Sequence, residues 1–180
     1  MYLSRKPGTE SISNLNTNFG TPHIAFLRLG GDNLGKIVET IHIRAPPEKV
    51  FAVLKDFENS PKWNVGWKEA RWTSGKRNEV GATGHVVVET QSAGRIESDF
   101  EVTEYKENER TAFRSTAGNA TVFGSSTLTP SRGGTEVRSE LNYELPYSIL
   151  GKIIDRLKVS REARKNAKQT LLNLKKMLEK

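Results

Sequence analysis

A chain of 180 residues, 35% of them hydrophobic, can bury one sizeable core and leaves part of its length outside it. With no cysteine, a disulfide framework, a thiolate zinc site and a thiol nucleophile are all excluded, which fits a reducing compartment. The formal net charge is +7, no apolar run is long enough for a transmembrane helix, and Arg5 and Lys6 are not followed by the apolar core of a signal peptide. The expected location is therefore the cytoplasm, with peripheral membrane contact left open.

Residues 1–35 differ from the rest. Ser, Thr, Asn and Gly dominate Thr9 to Pro22, and Gly30-Gly31-Asp32-Asn33 closes a short apolar patch of Ile24, Phe26, Leu27 and Leu29. This composition predicts a disordered tail, with a short docked strand or helix at 23–29 as the alternative. From residue 36 the pattern is that of a folded domain. Ile37, Ile41 and Ile43 alternate with Val38, Thr40 and His42, as in a strand, and Ala45-Pro46-Pro47 ends it. Pro47 suits the first turn of a helix, whose apolar side is Val50, Phe51, Val53, Leu54 and Phe57. Ser60-Pro61-Lys62-Trp63 reads as a turn or a second short helix.

From Trp67 onward the chain reads as an antiparallel meander. Runs at 68–73, 84–90, 96–105, 111–116, 120–129 and 136–145 are divided by turn residues, the strongest being Pro130-Ser131-Arg132-Gly133-Gly134. In the fourth strand Ile96, Phe100 and Val102 share one phase. The last run alternates most cleanly: Val137, Ser139, Leu141, Tyr143 and Leu145 face one way, Glu136, Arg138, Glu140, Asn142 and Glu144 the other. One covered and one solvated face is the mark of an antiparallel sheet.

The stretch from Ser148 to Leu178 closes the chain as one long helix. Leu150, Ile153, Leu157, Ser160, Ala163, Ala167, Leu171, Leu174 and Leu178 recur in steps of three and four. Between Lys152 and Lys180 lie 10 Lys and Arg and 3 acids; the remaining 18 basic and 18 acidic residues cancel, so the formal excess sits on this helix. Such a face either keeps the chain soluble or docks on an anionic membrane surface. No aromatic residues interleave with the basic ones, so nucleic acid is not an expected partner.

Seven strands, a helical insertion after the first and one terminal helix make an α+β domain. Six consecutive strands curl through their twist, and the terminal helix is the element left to cover the concave face. The helical stripe is small in its middle, at Ser160, Ala163 and Ala167, so side chains there do not fill the enclosed space and a pocket is expected between sheet and helix.

Several short segments carry a resemblance. Ile43-Arg44-Ala45-Pro46-Pro47-Glu48-Lys49-Val50-Phe51, Ser60-Pro61-Lys62-Trp63, Val80-Gly81-Ala82, Val102-Thr103-Glu104-Tyr105 and Gly133-Gly134-Thr135-Glu136-Val137 follow in order at sensible spacing. They resemble the START-related SRPBCC superfamily, which includes the polyketide cyclase/dehydrase and lipid transport group and the birch-pollen-allergen-like proteins. The resemblance covers about residues 36–180. It implies the helix-grip fold, a curved seven-stranded antiparallel sheet wrapped on a long C-terminal helix with two short helices after the first strand. It also implies a ligand cavity without metal or organic cofactor, and members that bind lipids, quinones or polyketides beside members that catalyse cyclisation or dehydration.

The residues favour binding over catalysis. His23, His42 and His85 are the only histidines and none has metal-site spacing, so no metal is expected. Gly124-Ser125-Ser126 reads as ordinary strand rather than a nucleophile elbow. A cyclase would need a proton-moving group near a bound carbonyl; the catalytic candidates are His85 and Tyr143, with Glu89, Arg114 and Tyr105 beside them. His85 and Glu89 share a strand face, which Val86 and Val88 turn outward. Tyr143 faces the covered side, either orienting a ligand or reaching a backbone carbonyl as a core tyrosine. The expected ligand wall comprises Trp63, Trp67 and Trp72, then Phe100, Val102, Phe113 and Phe123, then Leu141 and Tyr143, with Ser160, Ala163 and Ala167 on the helix. The function expected is binding or transport of a small hydrophobic molecule. The alternatives are a cyclase/dehydratase-type enzyme and a chaperone-activator-like interaction module.

Overall fold

The computed structural model describes residues 34–144 and 156–180. The tail expected at 1–35, Leu145 and the first turns of the terminal helix, with Leu150 and Ile153, lie outside the described residues except for Leu34 and Gly35, which open the first strand.

β1 (Leu34–Ile43) is followed by α1 (Pro47–Lys55) and a 3-10 helix (Phe57–Lys62). Pro46 is extended and caps α1, and Pro47 occupies a first-turn position where its missing N–H costs nothing. Six strands then run hairpin to hairpin: β2 (Trp67–Trp72), β3 (Thr83–Thr90), β4 (Gly94–Lys106), β5 (Arg110–Gly118), β6 (Thr121–Ser131) and β7 (Gly134–Glu144). Gly94, Asn108 and Gly133, at φ of 70°, 63° and 78°, make the left-handed turns that three of these hairpins need. The strand order is β1-β7-β6-β5-β4-β3-β2, antiparallel throughout. Since β1 and β2 lie at opposite edges, α1 and the 3-10 helix carry the chain across the open side of the curl.

Register shifts bend the sheet. One lies in β2 between Trp67 and Glu69, and two lie between β4 and β5, at Asp99/Phe100 and Val102/Glu104. The last has a consequence that alternation alone misses. It reverses the phase of β4, so that Tyr105, set by simple alternation with the polar Glu101 and Thr103, turns to the concave side.

α2 (Arg156–Leu178) covers that side. Its C-terminal half is packed. Leu171 and Leu174 join Ile43, Val50, Phe51, Trp63, Leu128 and Val137 in the main core, with Leu174 fully buried. Polar contacts fix the same half: Thr170 Oγ1 accepts from the Val65 amide at 3.0 Å, Asn173 Nδ2 donates to the Trp63 carbonyl at 3.0 Å, and Lys175 Nζ donates to the His42 carbonyl at 2.8 Å. Glu179 accepts from the Arg44 amide at 2.7 Å.

Two expectations for this helix are corrected. The apolar stripe places Leu157 inside, but it is 63% exposed; Val159, two residues on, is buried against Ala120 instead. Ser160 is exposed as well. A stripe read in steps of three or four has more than one solution where it passes through small and polar residues, and packing selects the one that buries Val159.

Replacing Leu174 by alanine removes a side chain from the junction of α1, β7 and α2. Urea unfolding should show a loss of about 2–5 kcal/mol.

Candidate ligand-binding cavity

Between the sheet and the middle of α2 lies a cavity of about 370 Å3, within the range of small-molecule sites. On the helix side it meets Val159, Ala163, Ala167 and Thr170, where the short side chains leave the space open. A second hollow, about 650 Å3, lies on the outside against Pro47, Arg110 and Pro130; it is open to solvent and lined by no aromatic side chain.

One wall is an aromatic cluster centred on Phe57. Its ring lies 4.8 Å from Trp72, 4.9 Å from Phe100 and 6.2 Å from Trp67, centroid to centroid, and Phe100 lies 5.7 Å from Phe113. The angles are tilted or edge-on, as ring quadrupoles prefer. Two of these rings lie over a glycine on the neighbouring strand. Phe100 covers Gly84, where an added Cβ would stand 2.5 Å from the ring, and Phe113 covers Gly124 in the same way. Any larger residue at these positions would lift the ring into the cavity. Glycine here keeps the cavity open by letting the aromatic side chains recline on the sheet.

Of the residues expected to form the wall, Trp63, Trp67, Trp72, Phe100, Val102, Phe113, Leu141, Tyr143, Ala163 and Ala167 line the cavity. Phe123 and Ser160 do not. Phe123 is 40% exposed, because the inward phase of β6 is Val122, Gly124, Ser126 and Leu128. Ser160 stands 3.4 Å from the Tyr143 hydroxyl and so joins α2 to β7. Sequence reasoning missed Phe57, Tyr105 and Val159 as wall residues; for Phe57 the signal was present in the apolar side predicted for the helical insertion, which reaches the cavity from its 3-10 part.

The other catalytic candidate, His85, lies outside. Its Nδ1 is 2.7 Å from Asp99 Oδ1 across β3 and β4, and it takes no part in the cavity wall. Glu89 pairs with Lys68 at 3.4 Å rather than with His85, and Arg114 pairs with Glu101 at 2.9 Å. Val86 and Val88 take the inward positions.

Few ionisable groups reach the wall, and the charged ones are engaged. Glu140 is held by Arg138 at 2.9 Å, and Lys55 lies 3.8 Å from Glu107. Burial, and then the charge of Glu107, push the Tyr105 phenol above its usual value, so it is a neutral donor at physiological pH. Glu162 on α2 ties down the turn between β3 and β4. It accepts from the Gln91 amide at 2.7 Å, from the Ser92 amide at 2.8 Å and from the Ser92 hydroxyl. Burial alone would raise its pKa, but these hydrogen bonds outweigh burial and hold it below the usual carboxylate value. Among the described residues no group of three or more metal-ligating side chains is assembled.

The chain belongs to the polyketide cyclase/dehydrase and lipid transport family, whose pattern matches residues 35–179. The architecture is the START-related helix-grip fold. The Thermus thermophilus protein TTHA0849 is similar over 79% of this chain and 96% of its own, at 23% identity and a TM-score of 0.68. A START superfamily protein of Mycobacterium smegmatis is similar over 81% and 97%, at 18% identity and 0.63. Major latex-like protein 151 of Panax ginseng is similar over 81% and 98%, at 11% identity and 0.63. These likenesses are of fold. No curated protein sequence matches the chain.

The Glu162 latch gives a pH dependence. Its folded pKa is below the unfolded one, so its ionisation adds stability above about pH 4.3 and that contribution is lost as pH falls through the folded value. Glu162→Gln should therefore lower Tm near neutral pH, and the gap to wild type should close on acidification below about pH 4.3 in thermal melts across that range.

Proposed function

We propose that this protein binds and carries a small hydrophobic molecule in the cavity between the sheet and α2. The observation that carries this reading is the unfilled space opposite Ala163 and Ala167, walled by Phe57, Trp67, Trp72, Phe100 and Phe113. A space of this kind left without a ligand forfeits dispersion contacts on all sides. A cyclase or dehydratase would need a side chain able to exchange a proton with the ligand. Here Glu162, Glu140 and Lys55 already have partners, and His85 faces outward. That supports binding over acid–base chemistry. A cavity of about 370 Å3 also argues against a pure interaction module. Ala167→Trp should fill the space: stabilisation by an anthracene-like or acyl-chain ligand, read as a rise in Tm, should vanish, with affinity down at least about tenfold. Equal stabilisation of variant and wild type would place the ligand elsewhere.

A second reading concerns where the ligand is collected. No helix among the described residues is long and apolar enough to cross a membrane. On the side of α2 away from the cavity, Leu157, Arg161, Arg164, Lys165, Lys168 and Leu172 recur in steps of three and four, all exposed. Of the acids between Arg156 and Lys180, Glu162 is held by the turn at Gln91 and Ser92, and Glu179 is paired with Arg44 and Lys175. Basic residues with a leucine at either end suit an anionic bilayer surface, where leucine enters the interface and the cations meet phosphate. Nucleic acid would use the charges but not the leucines. Arg161→Glu with Lys168→Glu should weaken partition onto phosphatidylglycerol vesicles at least about thirtyfold while sparing phosphatidylcholine controls. Equal retention by both lipids, or tighter binding to duplex DNA, would overturn this reading.

A further inference from the structure

Arginine in this domain is as a rule neutralised where it stands. On the sheet, Arg71 pairs with Glu69 at 2.8 Å, Arg110 with Glu104 at 2.7 Å, Arg114 with Glu101 at 2.9 Å and Arg138 with Glu140 at 2.9 Å, and before α1 Arg44 pairs with Glu179 at 3.5 Å. Among the described side chains outside α2, the exception is Arg132, single in the turn between β6 and β7. The middle of α2 breaks the rule as a group. Neither Arg161 nor Arg164 meets a carboxylate among the described residues, and Lys165 and Lys168 beside them do not either. The one acid in this stretch, Glu162, is turned away to the amides of Gln91 and Ser92.

The four cations form one cluster. Spacings of three and four residues link Arg161 to Arg164 and Lys165, and both of these to Lys168, at about 5–6 Å between Cβ atoms. The whole group spans about 10 Å of helix. Like charges at these spacings repel and weaken a helix. Solubility alone would be served by the same cations paired with acids, as on the sheet. Leu157 stands four residues before Arg161 and Leu172 four after Lys168, so both share this face, and they are 63% and 42% exposed. Leucines entering a bilayer at the two ends of the cluster would lay the helix along the surface and hold the cations at the level of the phosphates.

Headgroups differ in what they offer such a cluster. A phosphodiester carries a single charge. A phosphomonoester carries about −1.5 to −2 at neutral pH, with three strong acceptor oxygens. Arginine presents a fixed fork of donors that takes two oxygens at once, whereas lysine is a point charge. The cluster sets two forks about one turn apart with lysines at their flank. Cations this close favour the second ionisation of a monoester; a diester has no second proton to lose.

We infer that Arg161, Arg164, Lys165 and Lys168 form a headgroup site for a lipid ending in a phosphate monoester, of which phosphatidic acid is the simplest, and that the site selects it over diester lipids at equal surface charge. This inference rests on the membrane reading above and names its target. The occupant is a lipid rather than a soluble phosphate ester, because the leucines at both ends have a place only in a bilayer.

Flotation of the full chain with phosphatidylcholine vesicles carrying either phosphatidic acid or phosphatidylglycerol, adjusted to equal zeta potential, tests it. Wild type should partition at least about fivefold more strongly onto the phosphatidic acid vesicles. Arg161→Lys with Arg164→Lys keeps every charge and removes both forks; it should bring the ratio between the two lipids to within about twofold of unity. Thermal melts should show this variant folded, since both positions are exposed. Glycerol 3-phosphate in the millimolar range should leave wild type on the vesicles. Equal partition of wild type onto the two lipids, or an undiminished preference in the double variant, would overturn the headgroup site while leaving the membrane reading in place. Release by glycerol 3-phosphate would overturn the lipid as occupant. If the protein floats with neither kind of vesicle, the membrane reading fails and the site fails with it.

Discussion

The fold depends on how α2 is held against a sheet too curved for its middle to touch. At the C-terminal half, Leu171 and Leu174 are buried in the main core and Thr170, Asn173, Lys175 and Glu179 are tied to backbone groups of residues 42–65. Nearer the other end, Val159 packs on Ala120 and Glu162 grips the turn at Gln91 and Ser92. Between these anchors the helix is a beam, and Ala163 and Ala167 are too short to reach the opposite wall. An unsupported hollow would normally collapse or be costly. Here rigid anchorage on both sides prevents collapse, and the cost is of the kind a ligand can relieve.

The sheet contributes to the same end. Its curvature comes from twist and from the register shifts in β2, β4 and β5. Its floor is kept low by aromatic rings that lie over Gly84 and Gly124. Tyr143 is close enough to Gly35 to follow the same pattern. The outer face carries charge pairs, including Arg71 with Glu69, Arg95 with Glu97 and Arg114 with Glu101. Each such exposed pair adds little stability; together they keep the outer face of the sheet mixed in sign. The excess positive charge is thereby confined to the helix, on the side away from the cavity.

This separation of charge from cavity bears on chemistry. Acid–base catalysis needs a group whose proton is available to the ligand. The carboxylates at the wall are instead used as structural acceptors, most clearly Glu162, whose hydrogen bonds hold it ionised. The other polar side chains at the wall are hydroxyl groups and asparagine amides. Such groups can orient and select a molecule but are weak proton-transfer agents near neutral pH, which is the physical basis for reading the site as a binding site.

Local pattern was enough for much of this. The alternation of Val137, Ser139, Leu141 and Tyr143, the prolines at 46 and 47, and the turn residues at 130–134 specify strands, a helix start and hairpins through backbone sterics alone. The small residues Ala163 and Ala167 between larger ones mark the hollow. What local pattern could not decide was phase. Periodicity puts Leu157 inward and the expected ligand wall includes Phe123, yet both face outward, while Val159 and Tyr105 turn in. Phase depends on bulges and on which helix face finds a partner, and both are settled by packing between residues far apart in the chain.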